Sequence, residues 1–586
     1  MKSLAEILTG KFSEAFEACG YDASLGQVQL SNRPDLCDFQ CNGSMAGAKK
    51  YKKAPIMIAN EVLAKTDISA YGKAEAIAPG FINIKLSNSF LAAYVLEMSE
   101  SKDYGFEKAT KPLTIMMDYG GPNVAKPLHV GHLRPAIIGE SVKRIARFAG
   151  HNVISDVHLG DWGMPVGLVI AMLQERKPDL IYFDDNYEGE YPEEAPFTVS
   201  DLEEMYPAAS ARKKTDEEFS QRAHDNTVKL QDGHRGFRAI WKHIFDVSVA
   251  DIKKNYEKLN VSFDLWKGES NAQPYIEDMI NEMVASGLAY ESEGALVVDI
   301  REEGDSKEFP PCIVRKSDGA SIYQTTDLAT LVEREKLYHP DRVIYVVDKR
   351  QSLHFTQVFR TARKAGIVRP ETELLFLGNG TLNGKDGTPY KTRDGGVPRL
   401  EYLIREISDV VYEKLQGRAD ISEEEAKDIA RKVGLAALKY GDLSNQLTKD
   451  YIFDMERFTS FEGNTGPYVL YTMVRIKSIL AKCTDFDGVV KEIAEREYTD
   501  SERALLLEIT KFSDMIKRAY EESAPHKVCQ FIYDLSNSFN AFYHENKIIS
   551  EEDQNKKNEW IGLLKTVLGL LGIGIDLLGF EAPDRM

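Results

Sequence analysis

The apolar positions along the chain change period several times, and the changes mark out its parts. Residues 1 to about 105 open on helical periodicity, pass through Ile56 to Leu63 and reach GFINIKL, Gly80 to Leu86, which together predict a small α+β unit. A polar stretch with lysines and a proline, Ser101 to Pro112, reads as a joint between domains. LTIMMD, Leu113 to Asp118, is an apolar run of strand length, followed by an irregular loop. Then Ile137, Ile138, Val142, Ile145 and Phe148 recur at helical spacing, Gly150 stops the helix, and NVISDV gives a second strand. A second strand-helix-strand set lies far downstream: RVIYVV (Arg342 to Val347), a helix through Leu353 to Ala365, and ELLFLG. Two such halves predict an α/β doubly wound, Rossmann-type domain over residues 106–420, with ligands outside the carboxyl ends of the strands where their order reverses. An insertion of about 175–315 separates the halves, and its amphipathic helix through Phe237, Ile240, Trp241, Ile244, Phe245, Ile252 and Tyr256 reads as packing alone. Over 421–586 helix follows helix, an all-α bundle in which GLLKTVLGLLGIGIDLLGF, interrupted by Lys565 and Asp576, reads as a buried terminal helix.

Composition narrows the class. A chain of 586 residues exceeds one hydrophobic core, and 43% hydrophobic with 28% charged residues is a globular mixture. The N-terminus has acidic residues and a helical period in place of an export signal, so the expected location is cytoplasmic, with no membrane partner. Six scattered cysteines fit reduced thiols, and Cys37 and Cys41 lack a second pair to complete a zinc site. A net charge of −19 excludes a protein that coats nucleic acid through its overall charge, but it leaves room for local basic tracks. The acidic stretch Asp184 to Glu204 mimics a calcium loop until its twelfth position, Ala195, where the bidentate glutamate is missing, so it reads as a solvated loop. No structural metal is expected.

Two segments carry chemistry. His129-Val130-Gly131-His132 sits where the loop after the first strand turns into a helix, a place where helix N-terminal amides hold phosphate. Gly131 lets a nucleotide approach, and the two imidazoles can bond the charge that builds during displacement at phosphorus. The same residues could simply cap the helix. Gly384 to Arg393, GKDGTPYKTR, follows the ELLFLG strand as a Gly-rich loop whose Lys385 and Lys391 can close over a triphosphate; the alternative is a basic surface turn. A phosphate-loop match from Gly378 to Lys385 fails by one residue, with Asp386 where Ser or Thr belongs.

At PNVAKPLHVGHLRP, Pro122 to Pro135, the chain resembles the arginyl-tRNA synthetases, with their form of the class I HIGH motif. The resemblance runs on through HLGDWG (158–163), IYQTTDLA (322–329), VIYVVDKRQSLH (343–354), PYKTR (389–393), KYGDLSNQLTKDYIFD (439–454), FEGNTGPYVLY (461–471) and the helical C-terminus to APDRM. It implies an arginine–tRNA ligase with ATP and Mg²⁺ as a substrate complex, tRNA(Arg) and L-arginine as partners, a monomer, and an N-terminal domain that meets the tRNA elbow. It also implies that arginine activation depends on bound tRNA.

Carried over position by position, the resemblance assigns arginine binding to Asp118, Asn123, His129, Tyr323, Asp327 and Gln351. With the residue chemistry above, the expected ATP-binding set is Gly131, His132, His354, Lys385 and Lys391, and the expected catalytic set is His129, His132, Lys391 and Lys126. The residue types agree, because a guanidinium is a planar fork of five donors that calls for carboxylates, carbonyl oxygens and an aromatic wall. Singly, Asp118 could cap a strand end, Tyr323 could be core and Asp327 could cap a helix at Leu328. The class-wide KMSKS loop is degenerate here, TPYKT, and Lys126 is placed to add the missing cation. A nucleotidylyltransferase shares the H-x-G-H site but needs neither a guanidinium pocket nor the helical bundle. An inert RNA-binding homologue would be expected to lose His129, His132 or Lys391, all of which are present.

Overall fold

The computed structural model describes every residue except 318, 320, 391–397, 417–419 and 491–495. Its centre is a four-stranded parallel sheet of β1 (Thr114–Tyr119), β2 (Asn152–Asp156), β3 (Arg342–Asp348) and β4 (Glu373–Asn379), in the order β4-β3-β1-β2. Helix α1 (Leu133–Phe148) carries the chain from β1 outward to β2, helix α2 (Tyr323–Tyr338) brings it back to β3 on the other side of β1, and α3 (Ser352–Lys364) leads to β4. The order therefore reverses between β1 and β3, the doubly wound arrangement expected from the two halves.

Strand alternation sorts side chains onto two buried faces. Ile115, Met117 and Tyr119 join the core with α1, while Met116 joins Val343, Tyr345, Leu328, Phe355 and Val358 on the face covered by α2 and α3. Gly139 lets α1 lie close on β1, since a Cβ there would stand 2.2 Å from Cγ of Tyr119.

The insertion contains helices Val199–Arg212, Glu217–Gln231, Arg235–Lys258 and Glu269–Ala285, and a three-stranded antiparallel sheet of Ala289–Ser292, Ala295–Val298 and Cys312–Arg315. The acidic stretch runs as loop and short turn to Thr198 and then enters Val199–Arg212, where Glu203 and Glu204 each pair with an arginine, Arg399 and Arg176, at 2.9 Å. Helix Arg235–Lys258 buries Phe237, Ile240, Ile244, Ile252 and Tyr256 as its period predicts, but it does more than pack. At 24 residues, about 36 Å, it is long enough to reach the carboxyl edge of the sheet. There Trp241 donates to the Asp161 carbonyl at 2.9 Å, Ser248 Oγ accepts the Ala125 N–H at 2.9 Å, and the Tyr256 hydroxyl donates to the Gly120 carbonyl.

The N-terminal unit is an antiparallel sheet, Val28–Leu30, Phe39–Cys41, Phe81–Leu86 and Gly72–Ile77 in spatial order, packed by helices. It is tied to the C-terminal bundle by Arg503, which donates to both oxygens of buried Asp38 at 3.0 and 2.7 Å. In the bundle, helix Gln554–Leu578 is long and apolar enough to cross a membrane by length and composition, and it spends its apolar face on protein, burying Trp560, Ile561, Leu564, Val567, Leu571 and Leu578.

Sheet and bundle meet through buried charge. Arg134, two residues beyond the H-x-G-H tetrapeptide, has its Nε 3.0 Å from Asp442 Oδ2 and donates to the Lys449 carbonyl at 2.9 Å. Arg134→Ala leaves the buried Asp442 carboxylate without its cation, and is expected to cost about 3–5 kcal/mol of stability. Urea unfolding checks this; a loss below about 1 kcal/mol would mean that Asp442 finds another partner.

Candidate active site

Register dictates the floor of the site. Tyr345, Asp118 and Asp156 are aligned partners on three neighbouring strands, so their side chains share one face at the carboxyl edge. Two carboxylates side by side in a buried row require a cation, and α2 supplies it: Arg334 donates to Asp118 at 2.7 Å, to Asp156 at 3.0 Å and to the Tyr345 hydroxyl at 3.1 Å. Asp118 thus holds a guanidinium, and it is the chain's own. Beside it the His158 ring is 3.7 Å from Asp156. Burial works against protonating His158, but Asp156 and Asp118 outweigh burial and hold its pKa up at about 9.

The loop after β1 is fastened on both sides. Val124 donates to the Gly160 carbonyl and Gly160 to the Pro122 carbonyl, both at 3.0 Å, which fixes Asn123 against the HLGDWG segment. Ala125 adopts φ +62°, uncommon for a residue with a Cβ, and the Ser248 hydroxyl accepts its N–H. Val130 donates to the Pro398 carbonyl at 3.0 Å and Leu400 to the Leu128 carbonyl at 2.9 Å. Residues 398–400, just past the stretch that contains Lys391, therefore lie against the tetrapeptide. Lys391 itself falls outside the described residues.

His129 and His132 form a reciprocal cap. Gly131 N–H donates to His129 Nδ1 at 3.0 Å, and His129 N–H donates to His132 Nδ1 at 3.1 Å, with ring centroids 3.9 Å apart. A side chain at Gly131 would press on His129, because its Cβ would stand 2.8 Å from Cε1. Both Nδ1 atoms accept, so in each neutral ring the proton sits on Nε2, which is left as a donor. Burial, with His129 and Lys126 nearby, depresses His132 to about 3; burial and Lys126 also lower His129. Two neutral N–H donors at the start of α1 suit phosphate oxygens. Capping and ligand binding are compatible here, because they use opposite nitrogens.

Three of the residues assigned to arginine, Tyr323, Asp327 and Gln351, stand on α2 and in the turn after β3. Tyr323, the first residue of α2, is 66% exposed, so it is not core. Asp327 is the fifth residue of α2, whose N-cap is Ile322, so it does not cap a helix at Leu328; its Oδ2 meets His354 Nε2 at 2.5 Å. His354, which the sequence assigns to ATP, is thus bonded to Asp327, which it assigns to arginine. Gln351 ends the exposed turn after β3. Lys385 lies 3.6 Å from Asp454, in a turn closed by Gly384 N–H donating to the Thr388 carbonyl at 2.8 Å. Lys126 has its Nζ 4.8 Å from the centroid of the Tyr206 ring.

Glu269 completes the carboxylate set, and no local pattern in the sequence marks it. It opens helix Glu269–Ala285, and burial, opposed by His158 but reinforced by Asp327 and Asp161, pushes its pKa up to about 8. Among the described residues it has no cation bonded to it. Arg334, Tyr206 and Ser248 were likewise invisible, because their partners lie far away in the chain.

Comparison with known proteins agrees with this geometry. The profile described as tRNA synthetases class I (R), catalytic domain, matches residues 95–455; the arginyl tRNA synthetase N terminal domain matches 3–86, and the DALR anticodon binding domain matches 469–586. An arginine–tRNA ligase of Agathobacter rectalis is 58% identical over 597 residues, and one of Alkaliphilus oremlandii is 53% identical over 587, each alignment covering 100% of both chains. The crystal structures of arginyl-tRNA synthetases from Plasmodium falciparum (TM-score 0.83, 24% identity) and Thermus thermophilus (0.79, 22%) share the fold over 100% of both chains. With one catalytic profile spanning more than half of its length and relatives above half identity from end to end, the chain belongs to the arginyl-tRNA synthetase family.

Proposed function

We propose that this enzyme charges tRNA(Arg) in two steps: the arginine carboxylate attacks the α-phosphate of ATP, and a ribose hydroxyl of the terminal adenosine of tRNA then takes the arginyl group, releasing AMP. The observation that carries it is the juxtaposition, across one switch point, of two neutral histidine donors at a helix N-terminus and a carboxylate pair, Asp327 and Glu269, beside an exposed Tyr323. The first group suits a triphosphate entering with Mg²⁺, and the second suits a guanidinium. Asp327 and Glu269 face the substrate fork, Tyr323 walls it, and Asn123, Gln351 and His129 hold its amino-acid end. Asp118 and Arg334 form the floor. Lys126, Lys385 and Lys391 neutralise phosphate charge. The domains divide at about 105 and 420, and the enzyme works as a cytoplasmic monomer without a membrane. Pyrophosphate exchange run with each amino acid tests the reading; exchange with any amino acid other than arginine as the preferred one would overturn it.

Two results are expected. Arginine binding must ionise Glu269, so affinity should strengthen by about tenfold per pH unit up to pH ~8 and then level off. Calorimetry across pH checks this, and Glu269→Gln should flatten the profile. Exchange should also need cognate tRNA with its terminal adenosine. What supports this coupling is that the part of the bundle after helix Glu423–Leu443 touches the catalytic loops: Asp450 accepts from Thr381 N–H at 2.7 Å and from Lys349 at 2.8 Å, beside the Arg134 contact. Robust exchange without RNA would remove the coupling and leave the assignment intact.

A further inference from the structure

We propose that Tyr206, brought to the site by the insertion, is a positioning residue that holds the Lys126 ammonium over its ring, ready for the phosphates of ATP. The inference rests on reading Lys126 as a phosphate-binding cation. Lys126 is half-buried, three residues before His129, and among the described residues no carboxylate pairs with it; its Nζ stands instead 4.8 Å from the Tyr206 ring centroid.

The ring is held by the same structure that holds the phosphate loop. Its helix, Val199–Arg212, is capped by Thr198 and Asp201 and anchored by buried Leu202 and Met205. One turn earlier, Glu203 pairs with Arg399 at 2.9 Å, and Arg399 is bridged to His129. The residue before Lys126 is held by the insertion too, since the Ser248 hydroxyl accepts the Ala125 N–H at 2.9 Å.

The chemistry follows from geometry. An ammonium over a ring face is held by the ring quadrupole and still presents N–H groups on its far side. A lysine side chain loses much rotamer freedom when fixed, and the ring imposes that loss before ATP arrives. The contact can persist in the complex, so removing the ring should weaken ATP binding.

The test is pyrophosphate exchange by the full-length enzyme with arginine and tRNA saturating. Tyr206→Leu should raise the KM for ATP about tenfold, and Tyr206→Phe should stay near wild type. Phenylalanine bearing successive fluorines at position 206 should raise KM stepwise, with the unfolding temperature and the KM for arginine unmoved, because fluorination drains the ring quadrupole without changing its shape. In a Lys126→Met background the series should be flat. A flat series in the wild-type background, or one that still climbs without Lys126, overturns the proposal. If Lys126→Met leaves the KM for ATP unchanged, the phosphate role of Lys126 fails first and the proposal fails with it.

Discussion

Replacing Asp327 by alanine is expected to weaken arginine binding by about 2–5 kcal/mol, between roughly thirty-fold and several thousand-fold, while ATP binding stays intact. The size follows from what the carboxylate does. It sits in the second turn of α2 with His354 on one oxygen, and its charge is one of the two that push Glu269 up. Its removal takes one acceptor from the guanidinium and leaves His354 without its partner, a double loss at a half-buried pair. Asp327→Asn separates the two, since the amide oxygen can still meet His354 but carries no charge for the substrate. Arginine and ATP titrations run separately decide the matter, and an unchanged arginine affinity would show that the pair with His354 is structural only.

His132→Ala should slow arginyl-adenylate formation by about 10²-fold or more with little change in arginine affinity. The Nε2 donor is the reason: burial keeps the ring neutral, its pKa depressed to about 3, and the His129 N–H holds the tautomer that places the proton on Nε2. Such a donor gains strength as charge accumulates on phosphate oxygens and does not itself titrate near neutrality. His132→Asn is the informative control, because its side-chain oxygen can still accept the His129 N–H while its amide falls short of the imidazole's reach. If both variants slow single-turnover adenylation alike, the ring acts on phosphate; if asparagine restores the rate, it serves only as a cap.

What the sequence determined by itself was whatever depends on neighbours in the chain. Apolar runs gave β1 to β4 within a residue or two, helical spacing gave α1 and α3, and the tetrapeptide was legible because its bonds span two and three residues. The motifs also carried the family, since each is a short contiguous string. The capping alternative for Asp327 failed for a local reason, since α2 begins at Tyr323 and Asp327 lies inside it, whereas the core alternative for Tyr323 failed on its exposure.

Only the tertiary structure decided which charges meet. Asp118 is joined to Arg334 across 216 positions, Arg134 to Asp442 across 308, and Ala125 to Ser248 across 123. Glu269 owes its raised pKa to burial by the folded chain, with carboxylates from other segments adding to it, and Tyr206 reaches Lys126 only because the insertion folds back over the sheet edge. Periodicity records which side of an element is buried, but it is silent about the partner on the other side. A parallel sheet sets that partner by register and crossover: it aligned Asp118 with Asp156 and Tyr345, made a cation necessary, and let α2 supply it.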